Sequence, residues 1–383
     1  LTKIKLVEAI PLSIPLTETE PSQLWLEEWS VQLLVRIKTY DGLVGYGQTL
    51  VAGSGIVYAY KAVIDQLLSK LVIDRTPYEL NELTDIMEKA VYSAGRGGIT
   101  SGAISGVEIA LWDLIAKLEG KPLNRLLGSS KMTIPVYASI SRYRKPEEVV
   151  NVCEKILKEG YNAVKLHQPV VNILETVKML REKLGYGFHL MVDLNCGFTS
   201  LFKAIEHINR LQRFELRWIE EPLWPPEDYD KLAKLVAKSP ISVAMGENEY
   251  TLYGFRKLLE IGVEILQPDV TKDGGIRNTL RIADLAESYG AKIALHCRPD
   301  NGWVGIAASA HLLSSIKNWL ELETPPNNPP SDVYKIAPKI RKGILTIPET
   351  EGLGIEFQPD ALTKYSYKEK LRLLKFADLE ENV

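Results

Sequence analysis

The chain has little cysteine, little net charge and no long apolar run. Its three cysteines, Cys153, Cys196 and Cys297, form no paired framework and no CxxC zinc pattern, so a disulfide scaffold is excluded and a reducing cytoplasm is the default. The formal net charge of -3 leaves no basic surface for nucleic acid and no polybasic stretch for a membrane. No uninterrupted apolar run approaches the roughly 20 residues that span a bilayer. The opening LTKIKLVEAIPLSIPL alternates as a strand does and lacks the apolar core of a secretion signal. Gln is scarce beside abundant Ile, Leu, Lys and Glu, a composition that leans toward thermophiles.

What is present suits a soluble enzyme-sized protein. The 383 residues are 45% apolar and 25% charged, enough to bury a large core in two domains. Residues 1–50 read as strands, with Asp41-Gly42 as a hairpin signal, and 56–128 as helices. Strands followed by helices predict a compact α+β domain over 1–128. From 129 to 345 strand and helix alternate. Strands are predicted at 133–139, 163–167, 189–193, 217–221, 241–247, 264–269, 292–296 and 318–323. Eight strands at this spacing predict an α/β barrel of the TIM type. The last of them runs into the Pro-rich ETPPNNPPSD instead of a clear helix. Residues 346–383 are expected to pack back on the first domain.

Three acids recur at one interval. Asp193, Glu220 and Glu247 are each 27 residues from the next, and each closes a short apolar run: HLMVD, RWIE, ISVAMGE. One barrel unit of strand, loop, helix and loop takes about that length. An acid after a lone apolar run is usually a helix cap or a solvated loop residue, but three at equal spacing place one carboxylate at each of three successive strand ends. Carboxylates sharing one mouth repel unless a cation lies between them, and hard oxygen ligands suit Mg2+.

Other strand ends add bases. Lys165 and His167 are two apart and face one side of the second strand. Asp269 ends the sixth strand and His296 the seventh. Neighbouring strands can join them as a pair in which the carboxylate fixes the imidazole tautomer. The eighth strand supplies Glu321, with Glu323 two residues on as a competitor for the same role. A divalent ion chelating a substrate carboxylate would stabilise the enolate formed when the adjacent carbon loses its proton, with bases on two flanks to move protons on opposite faces.

The order KLH, MVDLN, WIEEP, GEN, QPD, ALH, WLE resembles the mandelate racemase subgroup of the enolase superfamily over nearly the whole chain. The resemblance implies a modified barrel, (β/α)7β, under an N-terminal α+β capping domain whose loops close the mouth. It implies Mg2+ on Asp193, Glu220 and Glu247, with the first Glu of WIEEP as the ligand. It makes Asp269–His296 a catalytic dyad, Glu321 the acid near the substrate carboxylate and Asn195 a substrate-side polar residue. It also implies a homo-oligomer, either dimer or octamer. One motif departs from the family: Lys-x-Lys at the second strand is Lys-x-His here, so His167 stands where the racemases carry a base. That favours β-elimination of water from a C5 or C6 aldonic acid to a 2-keto-3-deoxy acid. Racemisation or epimerisation of a 2-hydroxy acid is the alternative.

Arg298, just past His296 and Cys297, is a candidate partner for a substrate carboxylate or hydroxyl. Gly53-Ser54-Gly55 and the stretch 15–30, with Trp25 and Trp29, are candidate capping loops, although both tryptophans fit equally as core anchors. Gly274-Gly275 is expected to turn into a helix. His189, His207 and His311 are expected to be structural.

Overall fold

The computed structural model describes residues 2–15, 29–51, 54–143 and 145–367. Trp25 and Gly53, expected in capping loops, lie outside the described residues, as does the tail beyond 367.

The first domain is an antiparallel sheet of β1 (Ile4–Pro15), β2 (Trp29–Thr39) and β3 (Val44–Thr49). Asp41-Gly42 makes the β2–β3 turn, with Gly42 at φ 94°, a conformation that favours glycine. Helix α1 (Leu80–Ala90) packs on α2 (Ile99–Leu118), and α2 lies along β2 and β3. The close approach of α2 to β3 requires Gly47, where a Cβ would sit 1.9 Å from the Gly106 carbonyl oxygen. By length and composition α2 could cross a membrane, but 89% of its apolar window is buried inside the fold, as expected of a core helix. The other face of the sheet brings Leu12, Ile14 and Leu34 into the core of the second domain.

The second domain is the barrel. Eight parallel strands follow in order: β4 (Thr133–Ser139), β5 (Ala163–Leu166), β6 (His189–Asp193), β7 (Ile219–Glu220), β8 (Val243–Met245), β9 (Ile265–Leu266), β10 (Lys292–Ile293) and β11 (Leu322–Thr324). Pairing of β11 with β4, and the Ile293–Trp319 bridge beside β10, close the ring. Seven connections carry helices: α3 (Pro146–Lys158), α4 (Val170–Leu184), α5 (Leu201–Leu211), α6 (Tyr229–Val236), α7 (Leu252–Glu260), α8 (Ile276–Ser288) and α9 (Gly302–Ser315). After β11 the chain makes a hairpin instead, and its second strand, Ile344–Thr346, pairs antiparallel with β4. The architecture is therefore (β/α)7β. Further on, Leu353 N donates to Asp113 Oδ1 of α2 at 2.8 Å and Ser13 N to the Tyr365 carbonyl at 2.9 Å, tying residues past 346 to the first domain.

The alternation of strand residues sets the height of every functional group. Tyr137, Ala163, Met191, Trp218, Ala244, Ile265 and Ala294 fill the barrel interior. Tyr137 and Trp218 meet edge to face at 5.6 Å, and the strands beside theirs, β5 and β8, contribute only the small Ala163 and Ala244 to this layer. Two residues further along the same strands come Lys165, Asp193, Glu220, Gln267 and His296. The apolar layer thus forms the floor of a polar layer at the C-terminal mouth, because a period of two keeps both layers facing inward.

Candidate active site

Each acid of the 27-residue series stands at its strand end. Asp193 and Glu220 close β6 and β7, and Glu247 follows β8 by two residues. Ligand oxygens of the three lie within 4.8 Å of one another. Burial pushes the Glu220 carboxyl up to about 7 even with Lys165 beside it, and with Glu247 nearby it pushes Glu221 up to about 8. One lysine, Lys165, does not balance so many carboxylates. One small divalent cation with oxygen ligands would remedy that, so the donor set fits Mg2+.

Lys165 is fully buried. Its Nζ bridges Glu220 Oε1 at 2.6 Å and Glu323 Oε1 at 2.8 Å. Burial alone would lower its pKa, but these two carboxylates raise it well above the usual lysine value, so it is a fixed ammonium. Glu220 Oε2 accepts from Trp218 Nε1 at 3.1 Å and from Gln267 Nε2 at 2.6 Å, which fixes its rotamer.

Two imidazoles face the acid cluster from different flanks. His167 Nδ1 lies 2.9 Å from the Ile140 carbonyl, which can only accept, so Nδ1 carries the hydrogen and Nε2 points at Asp193 Oδ2, 3.3 Å away. The Asp193 carboxyl is buried, which would raise it, but the contact with His167 holds it down at about 2. His296 Nδ1 is 2.7 Å from Asp269 Oδ2, and its Nε2 is 3.2 Å from Glu247 Oε2. Burial would lower the His296 pKa, yet Glu247 and Asp269 raise it to about 9.

The structure corrects one assignment. Glu321 is not in this cluster. It precedes β11 and pairs with Arg217, which precedes β7, at 2.6 Å, so both lie toward the N-terminal end of the barrel. Strand pairing starts only at Leu322. Glu321 therefore sits one side-chain repeat, roughly 7 Å, below Glu323. Glu323 occupies the mouth: besides Lys165, its carboxylate accepts from Cys297 N at 3.2 Å and Tyr137 Oη at 3.3 Å.

The other candidates fall around the mouth. Asn195, at φ 44°, folds back on Asp193, with its N and Nδ2 donating to the two carboxylate oxygens at 2.7 and 2.8 Å. Arg142, on the loop after β4, donates to Asn195 Oδ1 at 2.5 Å and had no signal in the sequence. Arg298 lines the cavity while donating to Asp300 at 2.7 Å. Cys297 is buried, its Sγ 3.3 Å from Ser309 Oγ. Gly274 and Gly275, at φ 107° and 97°, lead into α8. His311 is buried in α9, accepting from Asn124 N at 2.9 Å, and His189 opens β6 exposed. His207 packs on the Phe198 ring at 5.3 Å and is among the residues that line the cavity.

The described residues bound a cavity of about 1150 Å³ over this layer, with Arg142, His167, Asn195, Glu247, His296 and Arg298 among its walls.

Residues 148–361 match the family described as Enolase C-terminal domain-like, and 14–128 match the Mandelate racemase / muconate lactonizing enzyme N-terminal domain. The chain is 28% identical to an arabinonate dehydratase of Saccharolobus solfataricus, over 87% of this chain and 90% of that protein. It is 32% identical to a D-galactarolactone cycloisomerase of Agrobacterium fabrum, with the same two shares. Among solved structures, a magnesium-bound racemase from Streptomyces coelicolor superposes with a TM-score of 0.83 at 26% identity, over 95% of this chain and 100% of that one. With both domains matched and the acid series at the barrel mouth, the chain belongs to the mandelate racemase subgroup of the enolase superfamily.

Proposed function

We propose that the protein is a Mg2+-dependent dehydratase of a C5 or C6 aldonic acid, yielding a 2-keto-3-deoxy acid. The observation that carries this reading is the pair of imidazoles, His167 and His296, each turning Nε2 toward the acid cluster from its own flank. Relatives whose names specify dehydration of arabinonate, L-rhamnonate and D-xylonate support it.

Asp193, Glu220 and Glu247 would hold the ion. When bound, Mg2+ supplies a Lewis acid for the charge that develops on the substrate carboxylate. Lys165 adds a fixed positive charge beside that end of the substrate, and Glu323 holds Lys165 in place. One imidazole takes the C2 proton. The other gives a proton to the C3 hydroxyl, which departs as water with the C3–O bonding pair. The enol left behind gains a proton at C3, loses the proton of its C2 hydroxyl and becomes the keto acid. Asp269 keeps the His296 hydrogen on Nδ1, and the Ile140 carbonyl does the same for His167, so both reactive nitrogens face inward.

The test is keto-acid formation from C5 and C6 aldonates with Mg2+, trapped with semicarbazide. Wild type is expected to form product. Glu220→Gln is expected to form none and to bind Mg2+ weakly while staying folded. Full activity in that variant would overturn the metal assignment.

A further inference from the structure

Asp269 receives more than the His296 hydrogen bond. Its Oδ1 accepts from Thr271 N at 2.8 Å, from Thr271 Oγ1 at 2.6 Å and from Asn301 Nδ2 at 2.9 Å, and its Oδ2 also accepts from Asn301 Nδ2, at 3.0 Å. Asn301 is wholly buried at the turn into α9, 32 residues from Asp269 in sequence. The orientation of its amide is unambiguous. Its Oδ1 accepts from the backbone N–H of Arg298 at 2.7 Å, which can only donate, and its Nδ2 meets a carboxylate, which can only accept. Nδ2 also reaches Thr271 Oγ1 at 2.8 Å, so one amide clamps the loop after β9 to the loop after β10.

The capping sheet seats on these same two loops. Ser30 Oγ donates to the Pro299 carbonyl at 3.1 Å, and Leu50 N to the Thr271 carbonyl at 3.2 Å. Gly302, at φ 57°, touches the sheet so closely that a Cβ there would sit 2.4 Å from Gln32 Oε1.

We propose that Asn301 is a positioning residue for catalysis. It holds the Asp269 carboxylate in the rotation that aims Oδ2 at His296 Nδ1, and the docked capping sheet holds the turn that carries Asn301. The inference rests on Asp269–His296 being the catalytic dyad, and the mechanism is geometric. Without the Nδ2 donor, Thr271 still holds Oδ1, but nothing except His296 holds Oδ2, so the carboxylate plane loosens and with it the ring plane of His296.

The experiment compares wild type, His296→Asn, Asn301→Leu and the milder Asn301→Ser, all loaded with Mg2+. Kinetics use the aldonate that the wild type turns over fastest. In both Asn301 variants kcat is expected to fall about 10–100-fold, with KM and Mg2+ affinity within about twofold. The low-field proton resonance of the His296 Nδ1–H, identified by its loss in His296→Asn, is expected to move upfield or vanish. A residue that only stabilises the turn would lower the melting temperature and leave that resonance in place. If His296→Asn is inactive while the Asn301 variants keep wild-type kcat and resonance, the positioning role is overturned and the dyad stands. If His296→Asn keeps full turnover, the dyad reading fails and this inference fails with it.

Discussion

Glu321 and Glu323 differ by a single strand repeat, and that repeat decides their chemistry. Glu323 sits against Lys165 in the buried polar layer, whereas Glu321 is a partly exposed partner of Arg217. Exposed and half-exposed ion pairs contribute about 0–1 kcal/mol, but taking one partner from a buried pair costs about 3–5 kcal/mol. Glu323→Gln is therefore expected to lose at least about 100-fold in kcat, the scale of an electrostatic stabiliser removed from a closed site. Glu321→Gln should stay within about threefold of wild type, as substitutions outside a site do. Steady-state kinetics on the two variants check this, and the reverse ranking would restore Glu321 to the site. Both residues were in view in the sequence. Their heights were not, because two residues of equal parity on one strand share a face, and only closure of the ring against β4 sets which one reaches the mouth.

Among the elements, those with strong local patterns were legible in advance. The run HLMVD is β6 to the residue, and TIPVYAS is β4. The later strands pair over only two or three residues, so QPD and ALH carry their functional side chains just past the ladder. Asn301 and Arg142 left no trace in the sequence because their partners lie 32 and 53 residues away. The same holds for Glu108. From α2 of the capping domain, its carboxylate accepts from Ile276 N at 2.8 Å and Arg277 N at 2.9 Å, capping α8 across the domain seam. Losing a helix cap costs about 0.5–2 kcal/mol, and Glu108→Ala also leaves two amides unpaired, so a loss of about 2 kcal/mol is expected in chemical denaturation. Burial raises the Glu108 carboxyl from 4.5 to about 7. A raised carboxyl keeps its proton in the folded state through that window while the unfolded chain gives it up. The contribution of Glu108 to stability therefore falls as pH rises from about 4.5 to about 7 and is flat above. Relative to Glu108→Gln, the wild type should lose ground across that interval. A difference that does not change with pH would contradict the buried, proton-retaining carboxyl.

For the whole molecule, the acid layer makes stability depend on metal and pH together. Glu220 and Glu221 are raised to about 7 and about 8, so the metal-free protein retains protons that the unfolded chain loses, and its stability declines as pH climbs from about 4.5 to about 8. Mg2+ binds the deprotonated ligands, which makes its effect the opposite. At a concentration about 100 times its Kd, a ligand bound only by the folded state adds about 2.7 kcal/mol. The rise in melting temperature on adding Mg2+ should accordingly be larger at pH 8 than at pH 5, and smaller in Glu220→Gln at either pH. An equal rise in that variant would place the ion elsewhere.

In the proposed reaction, the polar layer above Tyr137 and Trp218 removes a C2 proton and expels the C3 hydroxyl. The most direct measurement is proton NMR of a panel of C5 and C6 aldonic and aldaric acids incubated with the protein and Mg2+ in D2O. A new C3 methylene signal, with deuterium incorporated, is expected from an aldonic acid. Loss of the C2 signal with no new methylene, from any member of the panel, would contradict dehydration and point to racemisation or epimerisation through the same two imidazoles.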